Sequence, residues 1–518
     1  MIRLTVDGVS IEVEEGTPLH VAARKAGAEI PVMCYYEGME HFTSCMVCLV
    51  KDEKSGRLLP SCSVSAEEDM LISTGGDEVR AARKTALELL LGEHTGDCEA
   101  PCRITCPAGM DIPLMNRLLS AGNFDAALEV VKKDIAMPAM LGRICPAPCE
   151  GACRRKQVDE AVSICLLKRF AGDSDTVIPV TPPAETGKKI AVIGAGPAGL
   201  AAAWYLRQRG HTVSLWEKEN RAGGAVRKEI SPEILPEAVL DHEIASILAA
   251  GIGLHTDTTI DTARFNELMG LNDALIIAAA IPRETAAAWG LEHNGTGIVA
   301  DRSSYRVGET KVFAIGSALR PLKMAVRSQG QGKEVAFSID QLFSGARVTG
   351  EPVDFNSRFG RLLPEETAEY LKEGKAGNRL EPARGLPSGF TAEEVVAEAG
   401  RCLRCDCREK DNCLLRDYAG QYQADQKHFQ GSERIRVSKI LTHSEVIYEP
   451  SKCIKCGICV RLTSLEKERF GFTFIGRGFD VVIGVPFNRS LEEALTETAG
   501  RVVEGCPTGA LSYKKKLR

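Results

Sequence analysis

Three observations predict a multidomain protein of mixed α/β and α+β class. At 518 residues the chain is long enough for three or more domains. Its middle is a strand, glycine turn, helix and strand, KKIAVIGAGPAGLAAAWYLRQRGHTVSLWEKENRAGG (188–224). Nineteen cysteines, nearly all in tight groups, flank that unit on both sides.

Composition narrows the class. Hydrophobic residues at 44% and charged residues at 26% are ordinary for a soluble globular protein. A net charge of −6 offers no basic surface to nucleic acid. The longest apolar run, Ala274–Ile281, is strand-sized, so no membrane span is expected. The opening MIRLTVDGVSIEVEEG alternates like a hairpin rather than reading as an export signal. A cytoplasmic location follows as the expectation. Without export, cysteines two or three residues apart suit metal ligation better than disulfides.

The elements follow in order. Residues 1–76 read as a small β-rich domain: a hairpin over Ile2–Val13, a helix starting near Thr17–Pro18, a cysteine loop and a further strand pair. Residues 77–172 read as helices joined by cysteine loops, and Asp173–Gly187 as a Pro/Thr-rich linker. Residues 188–345 read as α/β, and 346–425 as a Gly/Pro/charge-rich segment that wraps the surface and carries Cys402–Cys413. Residues 426–518 hold the last cysteine group. No period of 20–50 residues marks a repeat fold.

The cysteines form five groups: Cys34/Cys45/Cys48/Cys62, Cys98/Cys102/Cys106, Cys145/Cys149/Cys153/Cys165, Cys402/Cys405/Cys407/Cys413 and Cys453/Cys456/Cys459/Cys506. Short loops bearing several thiolates suit iron–sulfur clusters. A zinc site would account for the first group but not for the others beside it.

The first group, Cys34-x10-Cys45-x2-Cys48-x13-Cys62 on a β-rich domain, resembles the β-grasp [2Fe–2S] ferredoxin-like domain of the large iron–sulfur subunit of respiratory complex I and its hydrogenase relatives. In that family a His-x3-Cys pair, matched by His94 and Cys98, opens the ligand set of a [4Fe–4S] cluster. From Cys98 onward, CEAPCRITCPAGMDIP and GRICPAPCEGACRR resemble the helical domain of the bacterial glutamate synthase small subunit and of dihydropyrimidine dehydrogenase, which holds two [4Fe–4S] clusters. Carried over, one cluster would use Cys98, Cys102 and Cys153, and the other Cys106, Cys145 and Cys149. His94 and Cys165 are the candidates to complete them. Lys168 falls where dihydropyrimidine dehydrogenase has its last, non-cysteine ligand, and cannot ligate while charged.

The central unit reads as a dinucleotide site. Gly194-x-Gly196-x2-Gly199 follows the strand Ile190–Ile193, permitting the tight turn and the approach of a pyrophosphate to the helix N-terminus. Glu217, 23 residues after Gly194, ends the second strand where it can accept from a ribose hydroxyl. GPAGLAAA with the trailing Gly223–Gly224 resembles the FAD site of the glutamate synthase small-subunit family. That resemblance assigns FAD contacts to Gly194, Ala195, Gly196, Pro197, Ala198, Gly199, Glu217, Lys218, Gly224, Ala225, Gly316 and Ser317. The family carries an NADPH domain between an Ala-Thr-Gly strand end and a Gly-Asp. Here Ala278–Ala280 and Gly316–Ser317 stand at those landmarks, and only 36 positions separate Ala280 from Gly316. The NAD(P)H domain is therefore expected to be lost.

Cys402-x2-Cys405-x-Cys407-x5-Cys413 places four thiolates within twelve residues, enough for one [4Fe–4S] cluster. CREKDNCLLRDYA also resembles the complex I subunit just beyond its His-x3-Cys pair, so His94 or Cys98 has a second possible home with Cys405, Cys407 and Cys413. Cys453-x2-Cys456-x2-Cys459 with Cys506-Pro507 is a ferredoxin pattern for one cluster, with the family phrase GRGFD at Gly476–Asp480. Five clusters at about four ligands each need about 20 ligands, and nineteen cysteines plus His94 supply them.

The function this implies is an electron-transfer subunit of a larger oxidoreductase, with FAD, one [2Fe–2S] and four [4Fe–4S] clusters, active within a complex. The implied partners are an NADH-oxidising flavoprotein-like subunit, a tungsten, molybdenum or hydrogenase catalytic subunit, or ferredoxin. The alternative is a self-sufficient NAD(P)H-dependent oxidoreductase.

Overall fold

A computed structural model describes residues 1–39, 43–174, 176, 184–321, 323–431 and 433–514. Much of the expected linker at 173–187 lies outside the described residues.

Alternation of apolar positions makes the first strands. β1 (Ile2–Val6) pairs antiparallel with β2 (Val9–Val13), burying Leu4, Val6 and Val13. β3 (Leu49–Asp52), β4 (Arg57–Pro60) and β5 (Leu71–Ser73) complete a sheet of order β2-β1-β5-β3-β4, with β1 and β5 parallel at its centre. The helix Leu19–Lys25 contributes buried Leu19, Ala22 and Ala23. This is the expected β-grasp domain.

Small residues bring the cysteine helices together. In the helices Pro138–Ile144 and Ile164–Gly172, a Cβ on Gly142 would lie 2.3 Å from Arg169 Cβ, and one on Gly172 would lie 2.4 Å from the Ala139 nitrogen. The two helices therefore run antiparallel in backbone contact, in a register that sets Cys145 beside Cys165.

β6 (Lys189–Ile193), β7 (Thr212–Trp216), β8 (Gly253–His255), β9 (Ala274–Ile277) and β10 (Val312–Ala314) form a parallel sheet of order β10-β9-β6-β7-β8. The strand order reverses between β6 and β9, so the crevice opens where Gly194 and Ala278 leave the sheet. Between β9 and β10 the chain forms the helix Arg283–Ala288 and isolated bridges, in place of a nucleotide-binding domain. In the last domain β11 (Val446–Tyr448) pairs with β14 (Leu511–Tyr513), and β12 (Thr473–Ile475) with β13 (Val482–Gly484) across the GRGFD turn.

Two hydrophobic cores organise the chain. One joins the helical region (Met115, Leu141, Leu167) to the parallel sheet (Ile190, Ile276) and to Phe390 and Val395 of the wrapping segment. The other joins the β-grasp domain (Leu4, Val13) and the helix Asp77–Glu93 (Leu87, Leu91) to Leu415, Tyr448, Leu462 and Val502. The first and last domains thus share one interior.

The wrapping segment has little regular structure, so side chains must satisfy its backbone. Arg155 donates to the carbonyls of Lys375 and Arg401, Arg169 to those of Leu386 and Pro387, and Glu398 accepts from the Ser163 and Leu380 nitrogens.

Candidate metal and nucleotide sites

The tertiary structure sorts the cysteines into sets that differ in part from their spacing in the chain. Cys34, Cys45, Cys48 and Cys62 come together beneath the β-grasp sheet, with the Cys34 and Cys45 sulfurs 3.5 Å apart and Cys62 in contact with Cys34 and Cys48. A hydrogen bond with Cys62 lowers Cys48 to about 7.

Cys402 and Cys405 do not gather with Cys407 and Cys413. They line a small cavity with Cys102 and Cys153, closed by Ala100, Ile112 and Val162. Cys102 and Cys153 thus part from Cys98, with which the family carry-over had placed them.

Cys407 and Cys413 instead meet Cys98. The Cys407 nitrogen donates to the Cys98 carbonyl at 3.1 Å, and Cys413 is influenced electrostatically by both other sulfurs. The geometric cause of the split is Asp406. It is buried and accepts two hydrogen bonds from Arg117, at 2.8 and 2.9 Å, which pins the backbone between Cys405 and Cys407 so that each serves a different set.

His94 lies beside this second set. Its ring and Cys407 both face the Lys452–Glu449 ion pair, whose Nζ–Oε1 distance is 2.7 Å. Burial, and then the Lys452 charge, lowers His94 to about 4, so the imidazole is neutral. His94 Nδ1 is buried without a hydrogen-bond partner. An orphaned neutral imidazole nitrogen is a ready metal donor.

Cys106, Cys145, Cys149 and Cys165 form a further set. Cys165 is in hydrogen-bonding contact with Cys145 and Cys149, and the Lys168 ammonium faces all four sulfurs. Cys453, Cys456, Cys459 and Cys506 line one apolar cavity roofed by Tyr448, Ile458 and Leu511. Among the described residues no three such side chains converge at single-ion distances. Two of the sets, Cys102/Cys153/Cys402/Cys405 and Cys453/Cys456/Cys459/Cys506, line small cavities, which suits a multi-iron group better than one zinc.

The nucleotide cradle is built from positions where a side chain cannot fit. Gly194 has φ +105°, and a Cβ there would touch Ala279 at 2.9 Å. One on Gly199 would lie 1.9 Å from the Gly194 carbonyl oxygen, and one on Gly224 2.9 Å from Gly196 Cα. Pro197 opens the helix Pro197–Gln208, with Ala198 buried beneath Gly316. Glu217 is buried and accepts from the Ala195 nitrogen at 2.8 Å, bracing the loop that approaches the phosphates. Lys218 is exposed, and Ala225 begins the helix Ala225–Glu229. Gly316 and Ser317 follow β10 as expected. However, the Gly316 nitrogen donates to Gln331 and the Ser317 hydroxyl to the Ala278 carbonyl, at 2.8 and 3.2 Å.

Three stretches of the chain match described families. Residues 1–76 match the 2Fe-2S iron-sulfur cluster binding domain. Residues 93–178 match dihydropyrimidine dehydrogenase domain II, 4Fe-4S cluster. Residues 192–253 match the NAD(P)-binding Rossmann-like domain. Over 208 residues the chain is 35% identical to the glutamate synthase [NADPH] small chain of Bacillus subtilis, covering 37% of this chain and 42% of that one.

Over that stretch the chain is similar to the glutamate synthase small chain.

It is also 33% identical over 345 residues to the beta subunit of an NADP(+)-dependent formate dehydrogenase from Moorella thermoacetica, covering 60% of this chain and 47% of that one. With the beta subunit of an NADPH-Fe(3+) oxidoreductase from Geobacter sulfurreducens it shares 37% over 191 residues, covering 36% and 28%. The chain spans less than half the length of each of these three relatives.

The chain carries iron–sulfur domains of both the 2Fe–2S and 4Fe–4S kinds. Among its described residues no helix is long and apolar enough to cross a membrane. Beside the nucleotide crevice is a cavity of 560 Å³, lined by Tyr305, Arg327, Gln331, Glu334 and Pro107. Sequence reasoning missed these residues. For Arg327, Gln331 and Glu334 the signal was the small, polar stretch RSQGQGKE (327–334) inside an otherwise apolar helix, and Tyr305 and Pro107 had none. Pro107 directly follows Cys106, so the wall of this cavity is also the loop of a cysteine set.

Proposed function

We propose that this chain is an electron-transfer subunit of a larger cytoplasmic oxidoreductase. It would hold FAD in the crevice after β6, one [2Fe–2S] cluster and four [4Fe–4S] clusters. The ligand sets are Cys34/Cys45/Cys48/Cys62, Cys102/Cys153/Cys402/Cys405, Cys106/Cys145/Cys149/Cys165, His94/Cys98/Cys407/Cys413 and Cys453/Cys456/Cys459/Cys506.

The observation that carries this reading is that the sets adjoin one another in a single row. Cys45 and Cys453 line a common groove. Lys452 precedes Cys453 and faces Cys407. A Cβ on Gly509, three residues after Cys506, would lie 2.2 Å from the Cys407 sulfur. Asp406 alone separates Cys407 from Cys405. Cys102 and Cys106 sit one turn apart at the helix Pro101–Thr105, and Pro107 enters the cavity beside the crevice. The row therefore starts at the β-grasp domain and ends at the nucleotide cavity. FAD, when bound, would supply the exchange between two-electron and one-electron chemistry. The chain's own residues set spacing, exclude water from the buried thiolates and place cations along the row.

The partner would contribute the substrate site. The relatives' names suggest a nicotinamide- or formate-oxidising subunit, and a tungsten, molybdenum or hydrogenase subunit or ferredoxin would serve the same role. An anaerobic titration of the purified chain tests the reading. Dithionite should bleach flavin and clusters while NADH and NADPH leave them oxidised, because the segment between β9 and β10 has no nucleotide-binding unit. Rapid bleaching by either nicotinamide would make the chain a reductase in its own right.

A further inference from the structure

Lys168 is a buried cation on the helix Ile164–Gly172, only 3% exposed. Its Nζ lies 3.7 Å from the Cys165 sulfur, and the groups acting on it electrostatically are Cys165, Cys145, Cys149 and Cys106. Among the described residues no carboxylate pairs with it. Three other buried lysines have carboxylate partners, Lys410 with Glu99 and Asp111, Lys439 with Glu373 and Lys452 with Glu449, and a fourth, Lys132, donates to the Ser246 hydroxyl and lies over the Trp204 ring. An ammonium taken from water without a counter-charge is strongly unfavourable. The four sulfurs, and an anionic group that they would hold, supply the counter-charge that no carboxylate provides.

We infer that Lys168 is a positioning residue for electrons. Resting on the cluster reading above, it raises the reduction potential of the centre held by Cys106, Cys145, Cys149 and Cys165, making that centre the acceptor next to the nucleotide cavity. The step adds one electron to that centre from its donor, with no bond made or broken, and the centre becomes more negative by one charge. A fixed positive charge against the sulfurs stabilises the more negative state, and net charge and burial are among the determinants of cluster potential. Position matters because Pro107, next to Cys106, lines the cavity. The helix that bears Gln331 and Glu334 also sends Lys333 to the Ala108 carbonyl at 3.2 Å, holding this loop against the cavity. An electron leaving the nucleotide site therefore meets this centre first.

The test is a redox titration of the full chain followed by electron paramagnetic resonance, comparing wild type with K168M and K168R. In K168M one one-electron wave should move to lower potential by at least a tenfold change in its reduction equilibrium, about 59 mV. The other waves should stay in place, and K168R should restore the wild-type value. If K168M retains less iron than wild type, Lys168→Gln gives the same comparison with a polar head kept against Cys165. A full-iron K168M or Lys168→Gln with every wave unmoved would overturn the inference. Iron analysis of Cys149→Ala separates the two levels. Iron equal to wild type there would mean the set holds no cluster, so the ligand assignment fails and the inference with it; iron loss there with every K168M wave unmoved would overturn the role of Lys168 alone.

Discussion

Asp406 stands between two cysteines that belong to different sets, and its carboxylate accepts two hydrogen bonds from Arg117. The pair is buried on both sides, at 7% and 1% side-chain exposure. Removing one partner leaves the other charge stranded, at a cost of roughly 3–5 kcal/mol. Asp406→Ala is therefore expected to lower stability by that order in chemical denaturation. It should also reduce iron and sulfide content at two centres together, where a ligand substitution such as Cys413→Ala affects one. Full iron content in Asp406→Ala would show that the backbone between Cys405 and Cys407 holds its course without the pair. His94 is the other residue whose role shows only in three dimensions. A lone histidine in sequence is ambiguous, and its orphaned Nδ1 beside Lys452 is what suits it to hold a metal.

At the scale of elements, close backbone packing is what places the thiolates. A Cβ on Gly142 would strike Arg169 at its Cβ and Cα, 2.3 and 2.6 Å away, so the helix must shift rather than a flexible side chain. Gly142→Ala should cost about 1–3 kcal/mol, as overpacking does, and should separate Cys145 from Cys165. The check is a lower melting temperature together with iron loss.

A second element-scale expectation concerns Glu468, which follows the helix Ile458–Leu465. Its carboxylate accepts from the Thr496 hydroxyl and from the Glu497 and Thr498 nitrogens, at 2.6, 2.8 and 2.9 Å. Burial raises its pKa, but these hydrogen bonds outweigh burial and hold it at about 2. Its folded pKa is below its unfolded value. The stability it contributes is therefore complete above the ordinary carboxylate pKa of 4.5 and is lost as pH falls through about 2. Glu468→Gln should be less stable than wild type at pH 7, by roughly 1–2 kcal/mol, with the gap closing between pH 4.5 and 2. A gap independent of pH would locate the effect elsewhere.

At the scale of the whole molecule, the first and last domains behave as one body because they share one hydrophobic core. Leu87 and Leu91 of the helix Asp77–Glu93 belong to the same interior as Tyr448 and Val502. Arg83 reaches across to the Tyr422 hydroxyl at 2.9 Å, and Glu88 accepts from the Asp425 nitrogen at the same distance. Hydrogen exchange followed by mass spectrometry should find the helix 77–93 and strand β11 opening as a single unit, distinct from the parallel sheet. Separate opening of those two elements would mean that the shared interior does not couple them.

Much was legible without any coordinates. Period-two alternation and the Thr17–Pro18 start signal the β-grasp domain, and the glycine fingerprint after an apolar strand signals the parallel sheet, because both are local patterns imposed by backbone geometry. The short spacings of the cysteines suit metal ligation, and the matched iron–sulfur domains agree with that over residues 1–76 and 93–178. The shortness of the segment from Ala280 to Gly316 excludes, by length alone, a nucleotide domain inserted there. Which thiolates share a centre was not legible where spacing misleads. Cys405 and Cys407 are two residues apart yet face different partners, and Cys102 and Cys402 are 300 positions apart yet line one cavity. Grouping is decided by packing between segments distant in the chain: a buried ion pair that turns a loop, glycines that let two helices touch, and a core that closes the last domain onto the first. Residue patterns alone establish which kinds of centre this protein is suited to hold. Their order in space comes instead from long-range burial, which no local pattern of residues encodes.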